Sequence, residues 1–432
     1  MDKLTDDILQ MALDAGCSDA AVALCTSVEN SVTALVDRID RIHRANDCSL
    51  SLSLFSDGRY GSFSTNQIDK NSLFPFIKKA AELTRLLQVD EFRRLPDKSR
   101  YYSGDDVDLK LYDNSVRTIP IEKKKEIAIS CCDKIREKVQ SVECEFGDSE
   151  DYITIADTQG FKGTLERTTF TVSTECSLAD KDGRRPESYW YDSTIVFKDL
   201  DYEHCAEIAL SRGLESLGAR KIKSGKYDIV IENTVASKMV APIMKALMGS
   251  AIQQGRSFLK DSIGKNIFPE SLSICDKPHK IGHFGARMFD SEGVATIERP
   301  IVQAGVPQLY FLNTYYAAKM GMEPTADNFS ILEMEPNVTT GLDGIMERCG
   351  KGILITGFNG GNHNATTGDF SFGIKGFYFE KGKKRYPVRE MNLTGNLIDL
   401  WNNISFIGND PLSLSRMRIP SLAFKNQYVS GL

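Results

Sequence analysis

The chain has 432 residues, enough at about 150 per domain for two or three domains, and 41% of them are hydrophobic, which excludes a disordered or fibrous polymer. With 53 Lys and Arg against 59 Asp and Glu the formal charge is −6, so no global basic field draws nucleic-acid phosphates. Ten cysteines without a C-x-x-C pair are too sparse for a disulfide scaffold and read as reduced, mostly buried thiols.

The acidic start, Met1 to Asp7, leads into an amphipathic segment and resembles neither a signal peptide nor a transit peptide. A first helix is predicted from about Leu4 to Ala15, with Leu4, Ile8, Ala12 and Ala15 on one stripe and Gly16 as its stop. Strict alternation in Ser49-Leu50-Ser51-Leu52-Ser53-Leu54 predicts a strand with leucines on the core face, and Asp57-Gly58 supplies a hairpin turn. A second helix is expected over Phe74–Leu87, opening at Pro75 and offering Ile77, Ala80, Ala81, Leu83 and Leu87 for burial. Residues 95–118 are polar and aperiodic and read as a connecting segment.

A third helix is expected from Pro120 to about Val139, with a stripe of Ile127, Cys131, Ile135 and Val139. Strands follow at Thr168–Ser177 and Ser188–Phe197 around an Asp182-Gly183 turn, then a helix Tyr202–Leu217 stopped by Gly218. The run Asp228-Ile-Val-Ile231 predicts a buried strand, and a helix capped at Asn233 or Thr234 comes next. The most apolar stretch, Val235–Ile252, contains Lys238, Pro242 and Lys245 and so does not qualify as a membrane span. After about residue 265, Gly, Asn, Thr and aromatic residues rise and helical periodicity fades until Ile398–Trp401. The expected fold is α+β: an N-terminal helix-and-sheet region in two units, 1–95 and 115–220, and a mainly β C-terminal domain, 221–432, carrying one long helix. A soluble, cytoplasmic protein is expected.

Only five histidines are present, at 43, 204, 279, 283 and 363, which limits metal or imidazole chemistry. His279 and His283 lie four apart, but Pro278, Gly282 and Gly285 oppose a helix, and on a strand the pair sits about 13 Å apart, too far to share one ion. In the run Gly357–Gly376, Gly368 and Gly373 have the phosphate-loop spacing, but Ile374-Lys375-Gly376 replaces Gly-Lys-[Ser/Thr]. The run reads as tight hairpins with close backbone approach, or as a polar cavity-lining loop through Asn362, Asn364, Thr366, Thr367, Asp369 and Ser371. Asp290 and Glu292 are a carboxylate pair for acid–base work or cation binding, or simply turn residues. Gly-x-Ser-x-Gly is absent, and Cys131-Cys132 falls inside a helix where packing explains it.

Taken together, Gly225-x-Tyr-Asp-Ile-Val-Ile, Gly255-x-Ser-Phe-Leu-x-Asp-x-Ile-Gly264, Phe289-Asp-x-Glu-Gly-Val294, Thr367-Gly-Asp-Phe-Ser371, Glu380-x-Gly382, Tyr386-Pro-Val388, Thr394-Gly-Asn-Leu397 and Ile407-Gly-Asn-Asp410 resemble the TldD/PmbA family, once named modulators of DNA gyrase. Asp57-Gly-Arg-x-Gly61 sits where that family has a similar hairpin, so the resemblance spans nearly the whole chain. It implies a cytoplasmic peptidase assembly in which a TldD-type subunit, bearing a zinc-binding H-E-x-x-x-H helix, pairs with a PmbA/TldE-type subunit. Aligned on Ser257-Phe258 and Ile263-Gly264, that motif falls at about Val240–Lys245, and no histidine occurs between His204 and His279. The resemblance is therefore to the PmbA/TldE type, with no catalytic or metal residues of its own and zinc expected only in the partner.

On this reading the chain completes a chamber for unfolded peptides beside the partner's metal, with Asp290, Glu292, Asn362, Thr367, Asp369 and Ser371 as candidate chamber residues, and it could pair with itself when isolated. No nucleic-acid or membrane partner is expected. The alternatives are a non-enzymatic regulatory protein of the gyrase-modulator kind and an autonomous peptidase using His279 and His283. Pro324-Thr-Ala-Asp-Asn328 lacks the Thr-Gly-Asn run of the family, which removes the argument for a substrate-facing role of that loop.

Overall fold

Leu50, Leu52 and Leu54 are fully buried and the serines between them face the other way, as the alternation predicts. They belong to a much longer strand than the pattern marks. A computed structural model describes residues 2–104, 107–133, 139–181 and 183–432. In it, α1 (Asp2–Asp14) precedes β1 (Asp19–Leu35), β2 (Arg38–Ser56) and β3 (Arg59–Thr65), then α2 (Lys70–Thr84) and α3 (Ile121–Asp133). Next come β4 (Val139–Asp157), β5 (Lys162–Leu178), β6 (Glu187–Thr194) and α4 (Cys205–Glu215). The six strands form one antiparallel sheet in the order β3-β2-β1-β4-β5-β6. Residues 1–95 and 115–220 thus contribute three strands each to a single sheet.

Strands of 17 and 19 residues are long enough for two helix pairs to sit side by side on one face. Ala20, Val22 and Leu24 of β1 pack with Ile8 and Ala12 of α1 and with Leu73, Ile77 and Ala81 of α2. Farther along the same side of β1, Val32 and Ala34 pack with Ile127 and Cys131 of α3 and with Ala206 and Ala209 of α4. At about 1.5–3 kcal/mol per fully buried large apolar side chain, these two clusters hold the helices on the sheet. Beneath α3 lies a buried ion pair, Lys124 Nζ to Asp148 Oδ2 at 2.6 Å, whose side chains are 7% and 0% exposed. Asn30 Nδ2 donates to the other carboxylate oxygen at 2.9 Å.

Asp57 and Gly58 both take positive φ, 51° and 72°, which gives the two-residue turn its twist and pairs Ser56 with Arg59. Elsewhere the structure moves the predicted boundaries. The second helix starts not at Pro75 but five residues earlier, because Asp69 accepts from the Ser72 N–H and caps it; Leu83 and Leu87 face solvent. Val139 opens β4 instead of ending a helix, while Ile135 and Asp182 lie outside the described residues.

The C-terminal region opens with β7 (Gly225–Ile231), α5 (Asn233–Ala246) and α6 (Gly249–Gln253). A small sheet follows, built from β8 (Ile274–Asp276), β9 (Arg299–Gln303) and β10 (Val306–Pro307), then, after α7 (Thr314–Met320), from β11 (Leu332–Met334). After α8 (Leu342–Cys349) come β12 (Lys351–His363), β13 (Asp369–Glu380), β14 (Lys383–Asn396), α9 (Leu397–Asn402), β15 (Ile404–Ile407), β16 (Met417–Arg418) and β17 (Leu422–Ser430). The order β14-β13-β12-β7-β17-β15 closes on itself where Asn392 and Leu393 of β14 meet Ser430 and Val429 of β17. Ile229 and Ile231 turn toward α5, and Val230 turns toward α8. This is an α+β fold whose second half is mainly β with α5 as its longest helix. The short helices α7 and α8 escape sequence periodicity because seven or eight residues give only two turns of pattern.

Candidate functional site

Residues 95–104 and 107–111 run along the junction between the two regions, and Leu109 and Leu111 are buried there with Ile195, Ala286 and Ile331. The Phe289–Val294 segment belongs to the same junction. Tyr102 N donates to Gly293 O and Ala295 N to Arg100 O, while the Phe289 ring meets Phe161 at 5.4 Å and Tyr102 at 6.0 Å. Asp290 is 4% exposed, and its Oδ1 accepts from the N–H groups of Glu292 (2.9 Å) and Val294 (3.0 Å), closing its own turn. Glu292 Oε2 accepts from the amide and hydroxyl of Thr314, at 2.9 and 2.8 Å, at the first turn of α7. Arg287 pairs with Asp327 at 2.9 Å, and Ser291 Oγ donates to the same carboxylate at 2.6 Å. Burial first, then the Asp327 and Glu292 charges, pushes the Asp290 carboxyl up to about 7. The pair of carboxylates therefore sits on the segment that joins the two regions, with one oxygen of each, Asp290 Oδ1 and Glu292 Oε2, taken by structural donors.

The Asn362–Ser371 segment is a hairpin tip, with Asn362 opposite Ser371 and His363 opposite Phe370. Its Asn364 oxygen accepts from the Thr366 N–H, and Asp369 accepts from Thr367 Oγ1 at 2.7 Å and from Asn396 Nδ2 at 3.0 Å. Those two side-chain donors hold the Asp369 carboxyl below the ordinary carboxylate range. Asn362, Thr367, Asp369 and Ser371 are all exposed. The glycines serve close backbone approach: a Cβ on Gly376 would lie 1.8 Å from Leu354 O, and one on Gly361, already at φ 92°, 2.2 Å from Ser371 O. The structure thus brings Asn362, Thr367, Asp369 and Ser371 together on one hairpin and puts Asp290 and Glu292 on a different element.

A cleft of about 490 Å³ separates the edge strand β6 and helix α4 from β12–β14 and the first turn of α5. Tyr189, Trp190, Tyr191 and Arg212 line one side; Thr234, Val235, Asn359, Lys375 and Phe377 line the other. Ion pairs tie the two walls. Arg212 lies over the Trp190 ring at 5.1 Å and makes a bidentate pair, at 2.9 and 2.7 Å, with Glu232, the residue preceding α5. Lys384 Nζ meets Glu215 at 2.7 Å. None of the six sequence candidates lines this cleft. Its aromatic and ionic wall gave no sequence signal, because the wall exists only once β6 and α4 face β13 and β14.

On α5, Ala236, Met239, Val240, Ile243 and Met244 are buried, whereas Lys238 and Lys245 are exposed and Ala241 is half-buried. The stretch where the family motif falls therefore presents alanine and lysine outward. His279 Nε2 lies 3.1 Å from Thr296 Oγ1, and His283 Nδ1 lies 2.8 Å from Ile281 O, so each imidazole is engaged with its own loop. Among the described residues no group of three or more His, Cys, Asp or Glu is placed to hold a metal ion, and zinc does not fit the donors that α5 offers. Cys131 and Cys132 are buried, donating to Tyr202 O and Ala34 O, which is the packing role expected of them. No helix among the described residues is long and apolar enough to cross a membrane.

Two family models match the chain: the PmbA/TldA metallopeptidase central domain over residues 114–217 and the C-terminal domain over 224–431. A metalloprotease PmbA homolog of Haemophilus influenzae is 27% identical, with 98% of this chain and 94% of that protein covered; metalloprotease PmbA of Escherichia coli O157:H7 is 26% identical, covering 99% and 96%. A crystal structure from Bacteroides thetaiotaomicron, of a protein assigned provisionally as a modulator of DNA gyrase, superimposes with a TM-score of 0.96 at 43% identity over 100% of this chain and 99% of that one. TldE from Thermococcus kodakarensis shares the fold, with a TM-score of 0.83 at 17% identity over 99% and 100%.

Proposed function

The chain belongs to the PmbA/TldD metallopeptidase family, and on that premise we propose that it is a PmbA/TldE-type subunit, without a zinc site, of a cytoplasmic peptidase that cleaves unfolded peptides. The observation that carries the reading is helix α5, where Val240, Ala241 and Lys245 stand at the aligned places of the two imidazoles and the carboxylate. A hydrolytic zinc needs three ligands and a group to take a proton from its water. Ammonium and methyl groups do neither.

In this reading a zinc-bearing TldD-type partner supplies the metal, and this chain supplies the wall of the chamber. Asn362, Thr367, Asp369 and Ser371 offer exposed donors and acceptors to a peptide backbone. Asp290 and Glu292 act at a distance, by holding the two regions in register. The test is reconstitution with a TldD-type partner and assay on an unfolded peptide, with each chain alone and zinc analysis of each as controls. Activity confined to the mixture and zinc confined to the partner are expected. Cleavage by this chain alone, insensitive to chelator, would overturn the proposal. So would stoichiometric zinc in it.

A second reading, regulation of gyrase by protein contact, is favoured by the description of the Bacteroides relative. An inhibition assay of gyrase supercoiling with the purified chain separates the two, because a peptidase subunit leaves supercoiling unchanged.

A further inference from the structure

The last strand of the N-terminal sheet, β6, has a neighbour on one side only, the strand β5. One bond at its entry sets the parity of the ladder: Leu178 N donates to Pro186 O at 3.0 Å. Antiparallel pairs alternate between bonded and non-bonded, so Ser188 and Trp190, in step with Pro186, direct their N–H and C=O groups to Cys176 and Thr174 of β5. Glu187, Tyr189 and Tyr191 turn theirs away from the sheet. Among the described residues no turn, loop or side-chain hydrogen bond takes up those main-chain groups.

Glu187 to Tyr191 all line the cleft of about 490 Å³. Consecutive strand residues send their side chains to opposite faces, so an unbroken run borders one cavity only where the cavity lies against the strand's edge. The open main-chain row therefore faces the cleft. Across it stand Thr356 and Asn359 of β12 and Lys375 of β13, so the C-terminal region roofs the edge. The space is of small-ligand size, with room for a short stretch of single chain and not for the edge of another folded sheet.

Charge does not choose the occupant. Arg212, Lys384 and Arg389 are paired with Glu232, Glu215 and Glu390, which leaves Glu187 and Lys375, one of each sign, without an ion pair among the described residues. What remains is main chain flanked by rings. Tyr189, 51% exposed, stacks on Tyr191 at 5.9 Å, and Trp190 lies under Arg212 at 5.1 Å.

We propose that β6 takes up an extended peptide segment as a seventh strand of the sheet, inside this cleft. The N–H and C=O groups of Glu187, Tyr189 and Tyr191 exchange hydrogen bonds with every second residue of the segment. The side chains of those same residues lie beside the Tyr189–Tyr191 stack, as cross-strand neighbours do, which favours apolar groups at alternate positions. The inference rests on the peptidase reading above for the source of such a segment and gives its main chain a place on this chain.

The test uses the full-length chain alone and an acetylated, amidated peptide of alternating threonine and valine, with one N-methyl group placed in turn on each central amide. N-methylation is expected to weaken binding at least tenfold at every second position and to change it less than about twofold between them. Saturating peptide should slow hydrogen exchange at the Tyr189 and Tyr191 N–H groups at least tenfold and leave Ser188 and Trp190, already bonded to β5, nearly unchanged. Tyr189→Pro removes an outward donor without touching the β5 ladder and should abolish binding at an unchanged melting temperature, while Tyr189→Phe retains it. No binding at millimolar peptide overturns the proposal, as does binding that ignores N-methylation or leaves Tyr189 and Tyr191 unprotected. Protection of those two amides that rises with protein concentration and without peptide makes a second copy the occupant, and the proposal falls. Because no catalysis is measured, a chain that binds the strand but never supports cleavage with a partner refutes the peptidase reading alone.

Discussion

Replacing Asp290 by asparagine separates a structural carboxyl from a chamber residue. Burial, reinforced by Asp327 and Glu292, raises the Asp290 carboxyl from 3.8 to about 7, with Arg287 committed to Asp327 nearby. The folded-state pKa lies above the unfolded one, so the protein keeps its full stability below about 4 and loses it as pH rises toward 7. At about 1.4 kcal/mol for each tenfold change, the ceiling on that loss is about 4 kcal/mol at pH 8 and about 2 kcal/mol at pH 5. An asparagine keeps the acceptor oxygen for the Glu292 and Val294 N–H groups and never ionises. Asp290→Asn is therefore expected to gain on wild type by roughly 2 kcal/mol between pH 5 and pH 8. Urea unfolding followed by tryptophan fluorescence at both pH values measures this, with both proteins run side by side. A difference that is constant with pH, or that grows on acidification, refutes the assignment of a buried, proton-holding carboxyl. Unchanged stability with lost peptide cleavage in a reconstituted pair would return Asp290 to the chamber.

Lys124→Met strands the fully buried Asp148 carboxylate with Asn30 alone and is expected to cost about 3–5 kcal/mol, whereas Lys124→Met with Asp148→Leu should recover most of that loss. A double-mutant cycle on thermal unfolding checks it. Glu150 is held down to about 2, chiefly by the Arg117 hydrogen bonds and further by Tyr152 and Tyr112, so its contribution is present above about 4.5 and fades as pH falls toward 2. Arg117→Met should therefore destabilise at pH 7 and converge on wild type in acid, as acid-titrated circular dichroism would show. Gly376→Ala drives a methyl into Leu354 O, so the β12–β13 ladder must part; a loss of about 3 kcal/mol or more, read as a lowered melting temperature, is expected. A soluble variant with an unchanged melting point would show that the ladder yields freely there.

The sequence by itself determined the α+β class, the leucine face of β2 and the Asp57-Gly58 turn, because each depends on periodicity or on backbone freedom within a few residues. It also determined that α5 itself carries no histidine, since a gap from His204 to His279 needs no coordinates. The tertiary structure alone decided what the polar motifs do. Asp290 and Glu292 look like a free carboxylate pair until the partners Val294 and Thr314 are in place, and Thr314 lies 22 residues from Glu292. Lys238 looks like a mere interruption of an apolar stretch until the Phe372 ring, more than 100 residues on, comes to lie beneath its ammonium group. A carboxylate or an ammonium carries the same charge in either setting. Burial and counter-charge give it a role, and both are set by which distant segments pack together.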